Sequence, residues 1–330
     1  MISGQRSDMA VYFSDTAYLE CFLRYISDKN IGVSCCGFTR DDKLRSYAVD
    51  HRISLLLTDE GCFNNEIRQI GTELTIVLTE TPAKRDEPDV YYIDILQPLD
   101  VILRDILKKI SDSDIPVNPG IATDAGSVYC FYSPVGRCLK TTLSMAAAQI
   151  LSDKAPSLYL NLEAVSGFPV LFGESYDADI SDLFFFLRDE SREKYAVRLG
   201  SMVRTIRGAH YVPPAMNPGD IAQINTEDIR RMLEAASDTG FKNVVIDAGI
   251  WLPSFEEILE VCDRIYVPAR RDPVSEAKLS QIISYLKYTG RTGLSERLQA
   301  ICPPDTQEIY DITSDLRSTE IGKYTAELLR

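Results

Sequence analysis

"FYSPVGRCLKTTLSMAAAQIL", residues Phe131–Leu151, is the stretch of the chain that decides its fold. Its apolar start predicts a β-strand, "PVGRCL" predicts a turn, and "KTTLSMAAAQIL" predicts a helix that begins with Lys140, Thr141 and Thr142. Phosphate-binding loops share this order, because backbone N–H groups at a helix N-terminus wrap the phosphates while a lysine and a hydroxyl reach the outer phosphates and Mg²⁺. The stretch therefore predicts a nucleotide-binding loop in an α/β protein.

The turn departs from the glycine-rich sequence of such loops. The pattern G-x-x-x-x-G-K-[ST] fails because Pro134 and Leu139 occupy its glycine positions, which leaves Gly136 as the glycine of the turn. A glycine before the lysine lets the backbone approach the β-phosphate with no side chain in the way. Two interpretations stay open, a working loop that opens slightly and an ordinary helix start with Lys140 in solvent.

Four apolar segments, "VYCFYS", "SLYLNLE", "NVVIDAG" and "RIYVPA", are typical of buried parallel strands. The segment "NVVIDAG" contains Asp247 near its end, where a carboxylate could orient the water shell of Mg²⁺. The segment "SLYLNLE" ends in Asn161, Leu162 and Glu163. These polar strand ends strengthen the prediction of a nucleotide site.

Residues 1–112 alternate apolar runs with segments of helical periodicity, which is typical of a parallel sheet with crossover helices. The predicted strands are "MAVYFSD", "VSCCGFT", "ISLLLTDE", "LTIVLTE" and "YYIDIL", and the predicted helices are Ala17–Lys29, "DDKLRSYAVDH" and "LDVILRDILKKIS". This succession of strands and helices predicts a flavodoxin-like domain.

The layout of this domain resembles response-regulator receiver domains, which carry an acidic pair, a phosphorylated Asp, a Thr or Ser, and a Lys-Pro at their strand ends. The corresponding positions hold Ser14 with Asp15, Thr58 with Asp59, Thr79, and Gln97 before Pro98. Without the lysine and the second carboxylate, a phosphoryl group and Mg²⁺ lose their usual ligands. We predict a pseudo-receiver used for docking, with Asp15 and Asp59 as strand-end or capping residues. Phosphorylation of Asp59 is the alternative.

The segment "SDSDIPVNPGIATDAG" separates this domain from the rest of the chain, because it is rich in Ser, Asp, Pro and Gly and has no apolar period. We predict an atypical receiver domain over residues 1–112, a linker over 113–126 and an ATPase domain over 127–330. Both domains are expected to be doubly wound α/β folds, the first flavodoxin-like and the second a P-loop NTPase with a mainly parallel sheet.

Composition limits the classes of function. The net charge of −14 argues against DNA binding, since non-specific affinity for DNA comes from Lys and Arg on phosphates. No apolar run approaches the ~20 residues of a membrane-spanning helix, and the N-terminus lacks a signal-peptide pattern, so we expect a cytoplasmic protein without membrane insertion. Eight cysteines without a C-x-x-C pair favour free thiols, and two histidines argue against a histidine metal site.

The order of these segments, from the loop through the Asp247 strand to "CDRIYVPARRDPVSEAKLSQIISYL", resembles the MinD/ParA branch of P-loop ATPases. Almost the whole chain is similar to the CpaE/TadZ group, which joins an atypical receiver domain to such an ATPase domain. The loop of that family reads K-G-G-x-G-K-[ST]-T. The resemblance implies that Lys140 contacts phosphate, Thr141 ligates Mg²⁺ and Thr142 contacts the α-phosphate.

By the same resemblance, Mg²⁺ is held by Thr141 and Asp247. The catalytic groups are Lys140, Glu163 and Asp247, and the nucleotide contacts are Gly136, Arg137, Cys138, Leu139, Lys140, Thr141 and Thr142. Val135 stands where the family has a lysine that crosses an ATP-bound dimer, and Arg137 is either a replacement cation or a partner contact. The family's Asp-x-Asp corresponds to Asn161 and Glu163, and an asparagine cannot act as a base.

The resemblance implies an ATP- and Mg²⁺-binding protein that forms a homodimer around nucleotide and has at most a weak ATPase activity. Its expected role is localisation or assembly of a Flp/Tad pilus or a related secretion system, in the cytoplasm or peripheral to a membrane-bound assembly. The alternative is a non-enzymatic scaffold with a degenerate nucleotide site. Pro134, Val135, Leu139 and Asn161 favour the scaffold, whereas Lys140, Thr141, Thr142 and Asp247 favour nucleotide binding.

Overall fold

A computed structural model describes residues 8–29, 34–81, 89–113, 115, 126–249, 252, 254–305 and 310–330. The chain divides into two compact units. The first comprises Met1–Ala122 with Ser191–Ser201, and the second comprises Thr123–Glu190 with Met202–Arg330. Most of the predicted linker, residues 114 and 116–125, lies outside the described part of the chain.

The first unit is built on a five-stranded parallel sheet of order β2-β1-β3-β4-β5, which is the strand order of flavodoxin-like folds. The flavodoxin-like prediction is therefore confirmed. The strands are β1 (Asp8–Tyr12), β2 (Ser34–Phe38), β3 (Ile53–Asp59), β4 (Leu74–Thr79) and β5 (Val90–Asp94), and the helices are α1 (Thr16–Lys29), α2 (Asp41–Asp50), α3 (Asn65–Arg68) and α4 (Leu99–Ser111). Residues 82–88, between β4 and β5, lie outside the described part.

The second unit is built on a seven-stranded sheet of order β12-β11-β6-β10-β7-β9-β8, in which only the β8–β9 pair is antiparallel. Its strands are β6 (Ser127–Phe131), β7 (Ser157–Leu162), β8 (Arg204–Ile206), β9 (Ala209–Tyr211), β10 (Asn243–Ala248), β11 (Arg264–Pro268) and β12 (Leu298–Ile301). Helices α5 (Lys140–Ser152), α6 (Phe168–Phe172) and α7 (Ile180–Asp189) follow β6 and β7. Helices α9 (Pro218–Ile221), α10 (Thr226–Asp238), α11 (Phe255–Glu260), α12 (Pro273–Tyr288), α13 (Thr292–Arg297) and α14 (Glu320–Leu328) complete it. Between α7 and β8 the chain also forms a 3₁₀ turn (Arg192–Lys194) and helix α8 (Tyr195–Met202). The mainly parallel sheet confirms the predicted fold class.

The segment Ser191–Ser201 leaves the second unit and packs with the first. Val197 on α8 is buried in the same apolar cluster as Ile106 and Ile110 of α4. Arg198 donates to Asp112 at 3.1 Å. The chain thus contributes α8 to the first unit before it returns to β8.

Three adjacent strands of the second unit bring the predicted site residues to one edge of the sheet. Strand β10 lies between β6 and β7, and Asp247 is in register with Phe131 on one side and Asn161 on the other. Because the strands are parallel, their carboxyl ends meet where the β6–α5 loop begins. The sheet order alone therefore places the loop beside the two polar strand ends.

Helix α5 is buried on nearly all sides, as expected of a helix whose residues are apolar or small all round. Ala146, Ala147 and Ala148 are fully buried in the core of the second unit. Gln149 fixes the C-terminal half of the helix, because its amide donates to the carbonyl of Ser314 at 2.9 Å and accepts from the N–H of Leu316 at 2.8 Å. The stretch Phe131–Leu151 thus ends in a buried helix that is bonded to residues 314–316.

Candidate nucleotide-binding site

The loop between β6 and α5 is fastened to the neighbouring strand by Ser133. Its hydroxyl donates to the carbonyl of Pro268 at 2.5 Å and accepts from the N–H of Val135 at 3.0 Å. The thiol of Cys138 donates to the carbonyl of Val135 at 3.1 Å. The sequence reasoning did not single out Ser133, although a serine at the start of a turn is a known signal for side-chain-to-backbone bonds.

Two non-glycine residues of the loop adopt the left-handed backbone conformation. Arg137 has a φ of 57° and Leu139 a φ of 60°, whereas Gly136 is not in that region. For a residue with a Cβ this conformation costs about 1–2 kcal/mol. The backbone at Leu139 therefore has the conformation that glycine favours, and its carbonyl accepts from Leu143 at 2.8 Å to begin α5.

Lys140 is buried between two carboxylates. Its side chain is 7% exposed, and its Nζ donates to Oδ1 of Asp247 and, at 2.6 Å, to Oε1 of Glu163. Burial alone would lower the pKa of Lys140, but the charges of Asp247 and Glu163 outweigh it and raise that pKa above its ordinary value. The structure therefore brings together the three residues predicted as catalytic, around a charged ammonium group.

Asp247 has a second set of donors on its other oxygen. The hydroxyl of Tyr159 donates to Oδ2 at 3.1 Å, and Nδ2 of Asn161 lies 3.2 Å from that hydroxyl and 3.5 Å from Oδ2. Burial, and then the charge of Asp247, raise the pKa of Tyr159 well above its usual value, so the hydroxyl keeps its proton. Sequence reasoning missed Tyr159, although its place two residues before Asn161 puts both side chains on one face of β7.

The sequence matches no protein-family profile, and no curated protein sequence matches it. Among solved structures, the chain resembles a ParA family ATPase from Chlorobium tepidum with a TM-score of 0.51 and 16% identity, over 62% of this chain and 98% of that one. Together with the loop, strand order and helix just described, this likeness decides the fold. The second unit has the fold of a ParA-family ATPase.

Two other solved structures are similar at lower scores. A putative plasmid partition protein from Borrelia burgdorferi, bound to AMPPNP, matches with a TM-score of 0.46 and 12% identity over 62% of this chain and 97% of that one. A cobyrinic acid a,c-diamide synthase from Mycobacterium smegmatis, with an ATP analogue and magnesium, matches with a TM-score of 0.46 and 16% identity over 62% of this chain and 95% of that one.

A cavity of about 780 Å³ adjoins the loop of this ParA-like unit. The loop contributes Arg137, Cys138 and Leu139 to its wall, and the residues that follow β11 and β12 contribute Arg270, Arg271, Asp272, Cys302, Pro303, Pro304 and Asp305. The volume is within the 300–1,000 Å³ range typical of small-molecule sites. The predicted contacts Arg137, Cys138 and Leu139 thus line a ligand-sized space.

The remaining predicted residues lie at the start of α5 and in the turn. Thr141 and Thr142 form the first helical turn after Lys140, with Thr141 half-buried and Thr142 buried, and Gly136 is exposed in the loop. No group of three or more His, Cys, Asp and Glu with metal-site geometry occurs in the described part of the chain.

The donor types near the loop nevertheless fit magnesium. A threonine hydroxyl and the carboxylates of Asp247 and Glu163 are hard oxygen ligands, which Mg²⁺ prefers. Both carboxylates are paired with Lys140, whose single positive charge offsets one of their two negative charges. Thr141, Asp247 and Glu163 are therefore the residues that would hold Mg²⁺ here, where it would supply positive charge to a bound phosphate.

Asp59 and Asp15 of the first unit, at positions that correspond to acidic residues of receiver domains, both accept internal hydrogen bonds. The N–H and the hydroxyl of Ser14 donate to Oδ2 of Asp59 at 2.8 and 3.1 Å, and the N–H of Cys62 donates to Oδ1 at 2.7 Å. Asp15 Oδ1 accepts from the N–H groups of Ala17 and Tyr18 at 2.8 and 3.1 Å, which makes Asp15 a helix cap for α1.

The same unit has no lysine at the strand-five position, where Gln97 donates to the carbonyl of Asp94 at 3.2 Å. Thr79 donates to Glu60. Across the described residues of both units, no helix is long and apolar enough to cross a membrane.

Proposed function

We propose that the chain is an ATP-binding localisation or assembly factor of the CpaE/TadZ type, with slow or absent ATP hydrolysis. The observation that carries this proposal is the position of Lys140. It begins the helix after the β6 loop and is held between Asp247 and Glu163 at the carboxyl edge of a ParA-like sheet. A phosphate group bound at the N-terminus of α5 would attract the ammonium group of Lys140 away from its two carboxylates.

In the proposed complex, the phosphates lie at the N-terminus of α5 and the nucleoside occupies the cavity lined by Leu139 and Arg271. Lys140 moves from its two carboxylates to a phosphate oxygen, and Thr142 contacts the α-phosphate. Thr141 and Asp247 hold Mg²⁺, which supplies positive charge to the phosphates when it is bound. Glu163, once released from Lys140, is placed to order water.

The weak activity in this proposal follows from two residues. Asn161 donates its amide to Tyr159 and Asp247 and cannot take a proton from water. Val135 is 7% exposed and carries no charge, so no cation extends from that position toward a second nucleotide. Arg137 is exposed in the loop and is the neighbouring candidate for a trans-acting cation.

The proposed dimer is supported by exposed apolar side chains close to the site in sequence. Val165 is 78% exposed, and Val170 and Leu171 on α6 are 88% and 53% exposed, in the segment that follows Glu163. Apolar side chains that are grouped and exposed often mark protein interfaces. We propose a second copy of the chain as the partner here, and a Flp/Tad-type pilus or secretion component as the partner of the pseudo-receiver domain.

Calorimetric titration of the purified protein with Mg-ATP tests the proposal. We choose Arg137→Glu as the binding variant, because Arg137 is exposed and its loss leaves no buried charge, unlike Lys140→Ala. A carboxylate in the loop should repel the phosphates and weaken binding by about tenfold or more. Arg230→Glu on the exposed side of α10 is the matched control and should bind as the parent does.

The scaffold remains a second candidate, because Lys140 is fully neutralised without nucleotide and Leu139 keeps a side chain at the loop. If titration of the parent protein with Mg-ATP gives no heat at two temperatures, ATP binding is refuted and the scaffold is favoured. Equal binding by the parent and Arg137→Glu would place the nucleotide away from the loop.

A further inference from the structure

We propose that Tyr159 and Asn161 are positioning residues that hold Asp247 by Oδ2, so that Oδ1 alone faces the cation of the site. This inference rests on the proposed ATP-binding function and adds two residues to it. The carboxylate of Asp247 is fully buried, and its two oxygens have different kinds of partner. Among the described residues, the ammonium of Lys140 donates to Oδ1, whereas the donors to Oδ2 are neutral.

Tyr159 is on β7, an interior strand between β10 and β9, and its hydroxyl has no access to solvent, since the residue is 0% exposed. A buried tyrosine hydroxyl needs partners for its proton and its lone pairs. It donates to Asp247 Oδ2 at 3.1 Å and accepts from Nδ2 of Asn161 at 3.2 Å. Both requirements are therefore met by the Asp247 cluster.

The orientation of the Asn161 amide is fixed by the backbone. The N–H of Glu163 donates to Oδ1 of Asn161 at 2.9 Å, and a backbone N–H can only donate. Nδ2 must therefore point to the other side, where Tyr159 and Asp247 lie. The amide thus connects the backbone of Glu163 to the carboxylate of Asp247 through two kinds of hydrogen bond.

An aspartate in place of Asn161 would not make this arrangement. Its carboxylate would lie about 3.5 Å from Oδ2 of Asp247, the present distance from Nδ2, and like charges at that distance disfavour both ionised groups. It would also have no proton to donate to Tyr159. Asn161 can therefore donate a hydrogen bond to Tyr159, which an ionised aspartate cannot. The asparagine at the first position of the family's Asp-x-Asp is thus compatible with a tyrosine two residues earlier.

The consequence concerns the coupling between nucleotide and divalent cation. When Lys140 turns to a phosphate, Asp247 Oδ1 loses its counter-charge while Oδ2 stays fixed by Tyr159. Asp247 and Glu163 together carry two negative charges, so a divalent cation held by them would offset both, and Mg²⁺ should strengthen nucleotide binding strongly. Without the tyrosine hydroxyl, the carboxylate can rotate and Oδ1 is no longer held toward the cation, which weakens this dependence.

The test is the ratio of ATP dissociation constants measured by calorimetry in EDTA and in Mg²⁺. In Tyr159→Phe the ratio should fall by about tenfold relative to the parent, the effect expected from losing a hydrogen bond to a buried charged group. In Asn161→Ala it should fall less, because Tyr159 can still donate to Asp247. A folding defect would lower the stability of a variant and would not change the ratio of its two dissociation constants. Melting curves of both variants are therefore recorded first.

Tyr211→Phe is the matched control. Tyr211 pairs with Tyr159 across β7 and β9 and is 1% exposed, but its hydroxyl bonds with Glu174 at 3.3 Å and Tyr176 at 3.4 Å. Its ratio should equal that of the parent. An unchanged ratio in Tyr159→Phe would overturn the inference while ATP binding stands, and absence of ATP binding by the parent in both buffers would overturn the proposed function together with the inference.

Discussion

Both units place a carboxylate at the carboxyl end of a central strand, Asp59 on β3 and Asp247 on β10, but the groups that neutralise them differ. Asp59 is half-buried and accepts three hydrogen bonds from neutral donors on Ser14 and Cys62. Asp247 is fully buried and is paired with the ammonium of Lys140 in addition to neutral donors. A carboxylate near solvent can be satisfied by neutral donors, whereas a buried one needs a charge partner.

This difference separates a strand end held by neutral donors from the nucleotide site proposed above. The first unit holds its carboxylate with groups that stay in place, mostly backbone N–H donors. The second unit pairs its carboxylates with the flexible side chain of Lys140. In the proposed complex, this ammonium group pairs with a phosphate oxygen in place of the carboxylates. The following predictions test how far the two clusters differ.

The largest effect is expected from Lys140→Ala. The change leaves Asp247 charged, buried and without a counter-ion, so we expect the free energy of unfolding to fall by about 3–5 kcal/mol. Urea denaturation of the full chain, read by fluorescence, measures it. Lys154→Ala, at an exposed lysine just after α5, should change stability by less than about 0.5 kcal/mol. If Lys140→Ala lowers the free energy of unfolding as little as Lys154→Ala does, Lys140 is not needed to stabilise the buried charge of Asp247.

In the first unit, Asp59→Ala should cost less, about 1–3 kcal/mol, because it removes hydrogen bonds to a charged group but leaves no buried charge behind. The same denaturation experiment compares it with Asp50→Ala at the exposed end of α2. If Asp59→Ala and Lys140→Ala destabilised equally, the contrast between the two clusters would be lost. Modification of Asp59 by a small-molecule phosphodonor, seen in the intact mass, would also contradict a purely structural role.

Asp15→Ala should cost about 1 kcal/mol, since it removes the side-chain cap from the N-terminus of α1. Asp15→Ser keeps a capping oxygen and should retain most of the stability. Thermal unfolding of both variants gives the comparison. If serine and alanine behaved alike, Asp15 would have a role other than capping.

The smallest change in stability is expected from Leu139→Gly. Relief of the left-handed conformation offsets the lost packing of the half-buried leucine, so stability should change by less than about 1 kcal/mol. ATP should bind severalfold more tightly, because the side chain no longer restricts approach to the loop. Leu139→Ala retains the backbone strain and serves as the control in the same calorimetric titration. Equal affinity in the parent and Leu139→Gly would show that the leucine does not restrict the loop.

Local patterns were sufficient for most of the fold. The periodicity of residues 17–29 predicted a helix that the structure extends by one residue to Thr16–Lys29, and the stretch Phe131–Leu151 predicted a strand, a turn and a helix that begins at Lys140, as observed. The alternation of strands and helices predicted the doubly wound fold of both units. Such patterns depend on neighbours in sequence, and their physical basis is the burial of one face of each element.

Side-chain contacts between different strands could not be predicted from local sequence patterns. Ser133 bonds to Pro268 and Tyr159 bonds to Asp247, at sequence separations of 135 and 88 residues. Nor did any local pattern indicate that Ser191–Ser201 packs with the first unit. Since strand order in a sheet depends on many weak long-range contacts together, one sequence does not show which polar side chains will become neighbours.

By itself, the sequence determined the parallel α/β architecture, the position of Lys140 at the start of the helix after the loop, and the absence of glycine at Leu139, because each depends on residue type and local order. The tertiary structure decided that Lys140 is neutralised by Asp247 and Glu163, and that Tyr159 and Asn161 occupy the other carboxylate oxygen. The physical reason is that a buried ion pair between residues on different elements forms only where the fold brings those elements together, and the energy of a buried charge depends on every group around it.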